Sequence, residues 1–191
     1  MKSYSCCNYV ELTDEIAKHV AYISDLLEIP QTESNKDTPK RVAKMLAYEL
    51  FENRNDRGLD KLNKSMTTFP NEGNGGYPIS ISGISFSSTC EHHWLPFFGT
   101  VEVTYVPSDH IIGLSKIPRV VRYFSRRPQL QERFTNDIGN YLVKLLNPKE
   151  LYVNVKARHT CVMCRGAESD CETETFFNYN INSQNGGVSG V

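Results

Sequence analysis

The chain has 191 residues, 39% of them hydrophobic and 23% charged, with a formal net charge of −1. That is ordinary for a soluble globular protein, and it is enough chain for one cored domain with a small helical appendage. The balance excludes a broad basic footprint for nucleic acid; no apolar run approaches the roughly 20 residues of a membrane helix, and Met1 to Cys7 lacks the apolar stretch of a secretory signal, so the reading is a cytoplasmic protein.

In chain order, Ile16, Val20, Ile23, Leu26 and Leu27 form one apolar stripe at helical spacing and predict a helix from Thr13 to Leu27. A second helix is expected from Thr38. Thr38 suits an N-cap and Pro39 the first helical position, where its missing N–H costs nothing. Val42, Met45, Leu46, Leu50 and Phe51 would be its buried face. Asn53 to Gly75 is polar and glycine-rich and reads as a long loop.

The period then changes to two. Tyr77 to Phe86 alternates apolar and polar residues, a half-buried strand with Gly83 as a bulge. Gly99 to Tyr105 reads as a second strand, Leu151 to Ala157 as a third and Thr173 to Tyr179 as a fourth. Ser115 to Arg127 and Gln129 to Leu146 read as two helices split at Pro128. The expected organisation is an N-terminal helical region and loop (1–76), a catalytic domain (77–180) and a tail (181–191). Strands that follow one another make hairpins, so the fold class is α+β, with an antiparallel four-stranded sheet, two helices on one face, and N-terminal helices before it. Such a sheet has two bare edges, which copies of the same chain often close.

Six cysteines, at 6, 7, 90, 161, 164 and 171, are too few for a disulfide scaffold and read as thiols or metal ligands. Cys6 and Cys7 lie in a terminal stretch with no evident chemistry. Cys90 and His93 are spaced so that one turn of backbone aims both at one ion, and Cys161 could supply a third ligand from a distant strand. Three protein ligands leave a tetrahedral position open, the mark of catalytic zinc. Two other readings stay open: buried thiols, or a closed structural knuckle in which Cys164 is the fourth ligand. A zinc deaminase is set aside, because it wants His-x-Glu and a later Pro-Cys-x-x-Cys.

His92 and His159 are candidates for general acid and base, or for hydrogen bonds that only orient a ligand. Ser115, Lys116 and Arg119 at a helix start make a ready anion site. Arg122, Arg126 and Arg127 read better as a solvated basic face. Arg41 and Lys44 could reach the same anion or be solvated. A carboxylate such as Glu132 can accept from the ring N–H and amine of a guanine, and the amide of Gln131 can take either role, although from spacing alone exposed helix polarity is the better reading of both.

Several segments together resemble the GTP cyclohydrolase I family: Ser88 to His93, Gly113 to Ile117, Arg126 to Arg133, His159 to Cys161 before Arg165-Gly166, and Asp37 to Met45. The resemblance covers Thr38 to Gly166. It implies a tunnelling fold assembled into a homo-oligomer, a decamer of two stacked pentamers with active sites at subunit interfaces. It implies Zn2+ on Cys90, His93 and Cys161, with Cys164 a bystander. It implies Gln131 and Glu132 as guanine contacts, and Arg41, Lys44, Ser115, Lys116, Arg119 and Arg165 as triphosphate contacts of GTP. His159 would protonate nitrogen 7, and His92 would serve the later ribose steps. The implied reaction opens the guanine imidazole ring, releases formate and yields 7,8-dihydroneopterin triphosphate, the entry to folate, other pterins or 7-deazaguanines. Residues 167–177 depart from the family pattern, which bears on subunit packing.

Two further hypotheses compete with it. A relative that reduces a nitrile on a 7-deazaguanine would want a lone nucleophilic cysteine and a nicotinamide. A zinc-stapled guanine-nucleotide binding module would hold GTP without turnover.

Overall fold

The computed structural model describes residues 9–73 and 76–182; Cys6, Cys7 and positions 183–191 of the expected tail lie outside the described residues. The chain forms two compact units, Met1–Glu52 and Asn53–Val191. Among the described residues, no helix is long and apolar enough to cross a membrane.

In the first unit, helix α1 (Tyr9–Leu26) packs against α2 (Thr38–Lys44). Asp37, not Thr38, precedes the first turn of α2, and Pro39 sits inside that turn as expected. The helix then widens into a π segment, Met45–Leu50, closed by Phe51 N–H on the Leu46 carbonyl. The residues fully buried here are Ala43 and Ala47, four apart. The expected stripe through Met45 is displaced, because the wider turn changes the angular spacing of side chains and two small residues make the close contact. Tyr22, Ile23, Leu26 and Leu27 stay exposed.

The second unit opens where the sequence suggests a loop. That segment contains a 3-10 turn, Arg54–Asp56, then α3 (Leu59–Ser65) and β1 (Thr68–Pro70). Helix α3 is polar except for Leu59 and buried Leu62, too few apolar positions to show a helical period. Asn53 starts the segment from inside the protein, its N–H on the Arg126 carbonyl and its Nδ2 on that of Tyr123.

The main sheet is built from β2 (Ile79–Cys90), β3 (Pro96–Val106), β5 (Pro128–Gln129), β6 (Glu150–His159) and β7 (Glu172–Asn180), in the order β5-β2-β3-β6-β7. It is antiparallel except where β5 lies parallel to the end of β2, pairing Thr89 with Pro128 and Cys90 with Gln129. The sheet therefore has five strands rather than four. A two-residue strand has no period of its own and forms only because the helix before it delivers Pro128 to the β2 edge. Gly83 has φ +69° at a register shift between Ile81 and Ile84, the expected bulge. A second, small sheet pairs β1 with β4 (His110–Ile112).

Helices α4 (Lys116–Ser125) and α5 (Gln131–Leu146) pack on the sheet, α4 against β2 and α5 against β6 and β7. Val101, Val103 and Tyr105 of β3 and Leu151, Val153, Val155 and Ala157 of β6 alternate into this core. They meet Ile117, Val120 and Val121 of α4 and Phe134, Ile138 and Leu142 of α5. Each Val, Leu, Ile or Phe side chain among them contributes about 1.5–3 kcal/mol through burial. Asn147, at φ +43°, ends α5 with its N–H on the Val143 carbonyl, and Pro148 prevents continuation. The hairpin and helix lengths thereby bring the ends of β2 and β6 and the start of α5 into the same neighbourhood.

Candidate active site

Cys90 is the last residue of β2. The next residues turn back at once: Trp94 N–H donates to the Cys90 carbonyl at 2.8 Å and Cys90 N–H to that of Leu95 at 2.9 Å. Trp94 takes φ +56°, an uncommon conformation for a bulky residue, and so closes the turn into β3. Glu91 N–H is held by the Gln129 carbonyl of β5. The turn presents His92 and His93, both exposed, with Nδ1 atoms 3.8 and 3.9 Å from Cys90 Sγ.

Cys161 reaches the same point from β6. A single helical turn, α6 (Thr160–Met163), follows that strand, and Thr160 Oγ1 pins it to the Pro96 carbonyl at 2.6 Å. The ligand atoms of Cys90, His93 and Cys161 all lie within 4.8 Å of one another. Burial pushes the Cys161 thiol up, and its neighbour Cys90 pushes it further, with Arg165 opposing. Two thiols and an imidazole brought this close are a good donor set for a divalent cation. Cys164 is exposed and directs its S–H at the Thr160 carbonyl, 2.7 Å away. It is not one of the clustered ligands.

His159 closes β6 and pairs in register with Phe97. The two rings stack, with centroids 4.7 Å apart and planes within 5°. Burial lowers the pKa of His159, while the Glu132 carboxylate acts in the opposite sense. His159 Nε2 lies 2.8 Å from Gln131 Oε1. Gln131, the first residue of α5, is only 2% exposed, whereas Glu132 beside it is exposed. The guanine contacts implied by the resemblance thus occupy different environments.

Ser115 is exposed just ahead of α4, and its side chain makes no cap hydrogen bond. Lys116 is half-buried and Arg119 exposed on the first turns of that helix. Arg165 is exposed beyond α6, near enough to Cys161 to act on its thiol. Arg41 and Lys44 are exposed on α2, in the first unit. Arg127, read as part of a solvated face, is instead mostly buried. It pairs with Asp56 at 2.7 Å and Asp137 at 2.8 Å and lies over the Phe124 ring.

Two features escaped the sequence reading. One is Phe97 as the surface on which His159 lies. The other is the ion pair of Glu91 with Arg133, at 2.7 Å. Both pairs join residues far apart in the chain; Glu91, Arg133 and His159 lie inside the quoted motifs, whereas Phe97 lies outside them.

Fold and site together define a class: α+β proteins in which a Cys/His cluster able to hold a metal lies two residues from a histidine able to carry a proton. Within that class, the sequence profile of GTP cyclohydrolase I matches residues 15–184, and the chain belongs to that family. A protein named GTP cyclohydrolase 1 from Sulfurihydrogenibium sp. (strain YO3AOP1) is 43% identical over 148 residues, 78% of this chain and 74% of that protein. One of the same name from Streptococcus pyogenes serotype M49 is 44% identical over 146 residues, 76% of this chain and 72% of its own length. Among solved structures, archaeosine synthase QueF-Like in the apo form matches with TM-score 0.46 and 18% identity, over 55% of this chain and 95% of that one.

Proposed function

We propose that this chain hydrolyses GTP as a GTP cyclohydrolase I. The net reaction consumes one water, opens the imidazole ring of guanine, expels carbon 8 as formate and recloses the ribose carbons onto the pyrimidine as 7,8-dihydroneopterin triphosphate. The observation that carries this reading is the convergence of Cys90, His93 and Cys161 within 4.8 Å in a chain of this family.

The donor set fits zinc: two thiols and one imidazole from two separate turns, with Cys164 turned away. Zinc, when bound there, supplies a Lewis acid that makes water nucleophilic near neutral pH. The rest of the chemistry belongs to side chains. Glu132 accepts from the ring N–H and the exocyclic amine of guanine, which fixes the base in its pocket. His159 hands a proton to nitrogen 7, so that carbon 8 becomes electrophilic. Its stacking on Phe97 supports this role, since a ring held in one plane keeps the transfer distance short. His92 serves the ribose steps that follow. Ser115, Lys116 and Arg119 at the start of α4, with Arg165, hold the triphosphate, and that remote binding energy orients the base; Arg41 and Lys44 are triphosphate contacts on the family resemblance alone.

The catalytic unit is a tunnelling-fold domain, and the working form is a homo-oligomer, a decamer, with sites shared between subunits. What supports assembly is the pair of bare edges: among the described residues, Ile79 to Phe86 of β2 pairs only with β3, and β7 pairs only with β6. Thiol ligands of this kind persist in a reducing compartment, which supports the cytoplasm.

The test is formate release together with oxidised-pterin fluorescence from zinc-loaded protein given GTP, with a chelated control. Both signals, lost on chelation, are expected. Bound GTP and retained zinc with neither signal would replace this reading by a nucleotide-binding module.

A further inference from the structure

Gln131 has no amide hydrogen left to offer a substrate. Its Nε2 donates to the Val155 carbonyl and to the Thr173 carbonyl, both at 3.0 Å. A side-chain amide nitrogen carries two hydrogens, and these two bonds use both. Its Oε1 faces His159 Nε2 at 2.8 Å. Turning the amide over would set Oε1 against two carbonyl oxygens, acceptor against acceptor, at a residue only 2% exposed. The two backbone carbonyls therefore decide which end of the amide meets the histidine. An amide oxygen can only accept, so the hydrogen in that contact belongs to His159 Nε2. Phe97 holds the plane of the imidazole ring. Among the described residues, none hydrogen-bonds His159 Nδ1.

We infer that Gln131 is a positioning residue for His159, not a reader of guanine. The carbonyls of Val155 and Thr173 orient its amide, the amide keeps a hydrogen on His159 Nε2, and Nδ1 is left as the nitrogen that works on substrate. This rests on the proton-donor role given to His159 above. In the transfer, Nδ1 gives its proton to guanine nitrogen 7 and the ring returns from imidazolium to imidazole, while the Nε2 hydrogen stays on His159, donated to Gln131 Oε1 throughout. Side-chain reading of the base then falls to Glu132. The register of β6 with β7 matters to catalysis as well, because Thr173 stands opposite Ala157, two residues from His159.

Two measurements test this. Magic-angle-spinning NMR of the zinc-loaded full-length protein, with ring-15N histidine and His159→Asn to assign the signal, reads which nitrogen bears hydrogen. Hydrogen on Nε2 is expected; a bare Nε2 with hydrogen on Nδ1 overturns the inference, and this outcome needs no variant at position 131. In Gln131→Met, kcat for formate release should fall about 10²-fold through misplacement of the acid. KM for GTP should change by less than about threefold, and the preference for GTP over inosine triphosphate should be kept. A variant that keeps kcat, raises KM and loses that preference would return Gln131 to base recognition. If the unsubstituted protein released no formate at all, the functional reading would have failed while the NMR result still judged the role of Gln131.

Discussion

Arg133 grips Glu91 with both terminal nitrogens, Nη1 at 2.7 Å from one carboxylate oxygen and Nη2 at 3.4 Å from the other. Glu91 lies between Cys90 and His92, and Arg133 follows Glu132 in the first turn of α5. The turn that presents two metal-ligand candidates is thus fastened to the helix that presents Glu132 and Gln131. The pair is partly exposed, and pairs of that kind contribute about 0.2–1 kcal/mol to stability. Its expected effect is therefore on alignment of the two segments rather than on stability. Arg133→Met should leave the unfolding midpoint almost unchanged and retain zinc, while kcat falls about tenfold, since small misplacements are costly in rate. Turnover at the unsubstituted rate would show that the clamp aligns nothing.

The cluster geometry makes a sharp distinction between two cysteines three residues apart. Cys161→Ala should lose zinc, measured as metal per chain by mass spectrometry. Cys164→Ala should keep full zinc and turnover, because its thiol serves only the Thr160 carbonyl. Zinc lost from Cys164→Ala would restore the closed four-ligand knuckle.

His159→Ala should keep zinc, fold and GTP binding but release no measurable formate, because general acid catalysis accounts for about 10²–10⁴-fold in rate and no other described residue stacks in its place. Equilibrium dialysis with GTP, beside the formate assay, separates the two functions. Formate at the normal rate would remove His159 from the chemistry.

Gly139, in the middle of α5, is a stability prediction of unusual sign. Glycine to alanine inside a helix ordinarily stabilises by about 0.5–1 kcal/mol. Here an added Cβ would overlap the ring of Phe177 on β7. Overpacking costs about 1–3 kcal/mol, which exceeds the helix gain, so Gly139→Ala should destabilise. Urea unfolding measures it, and Phe177→Leu in the same chain should recover part of the loss. A more stable Gly139→Ala protein would show that the ring moves aside freely.

Much of the frame is written in neighbouring residues. The alternation in Tyr77 to Phe86, in Gly99 to Tyr105 and in Leu151 to Ala157 marks strands that the structure contains, and Gly83 marks its bulge. Ser115 to Arg127 and Gln129 to Leu146, split at Pro128, mark two helices that the structure contains. The metal-ligand candidates were legible as well, since Cys90 and His93 share one turn and Cys161 closes a recognisable motif.

What the sequence by itself determined was therefore local: which segments are strands or helices, which side chains have ligand chemistry, and which family they resemble. Helix α3, with little beyond Leu62 to anchor it, and the two-residue β5 exist only through contacts with distant segments, so no local period announced them. The placement of Gln131 is the plainest case. Its residue type permits both guanine recognition and internal hydrogen bonding, and the choice depends on the carbonyls of Val155 and Thr173, brought to it by strand pairing. Tertiary structure decided the matter because an amide has a fixed number of donors and acceptors, and which of them are spent is settled only by what folding brings within 3 Å.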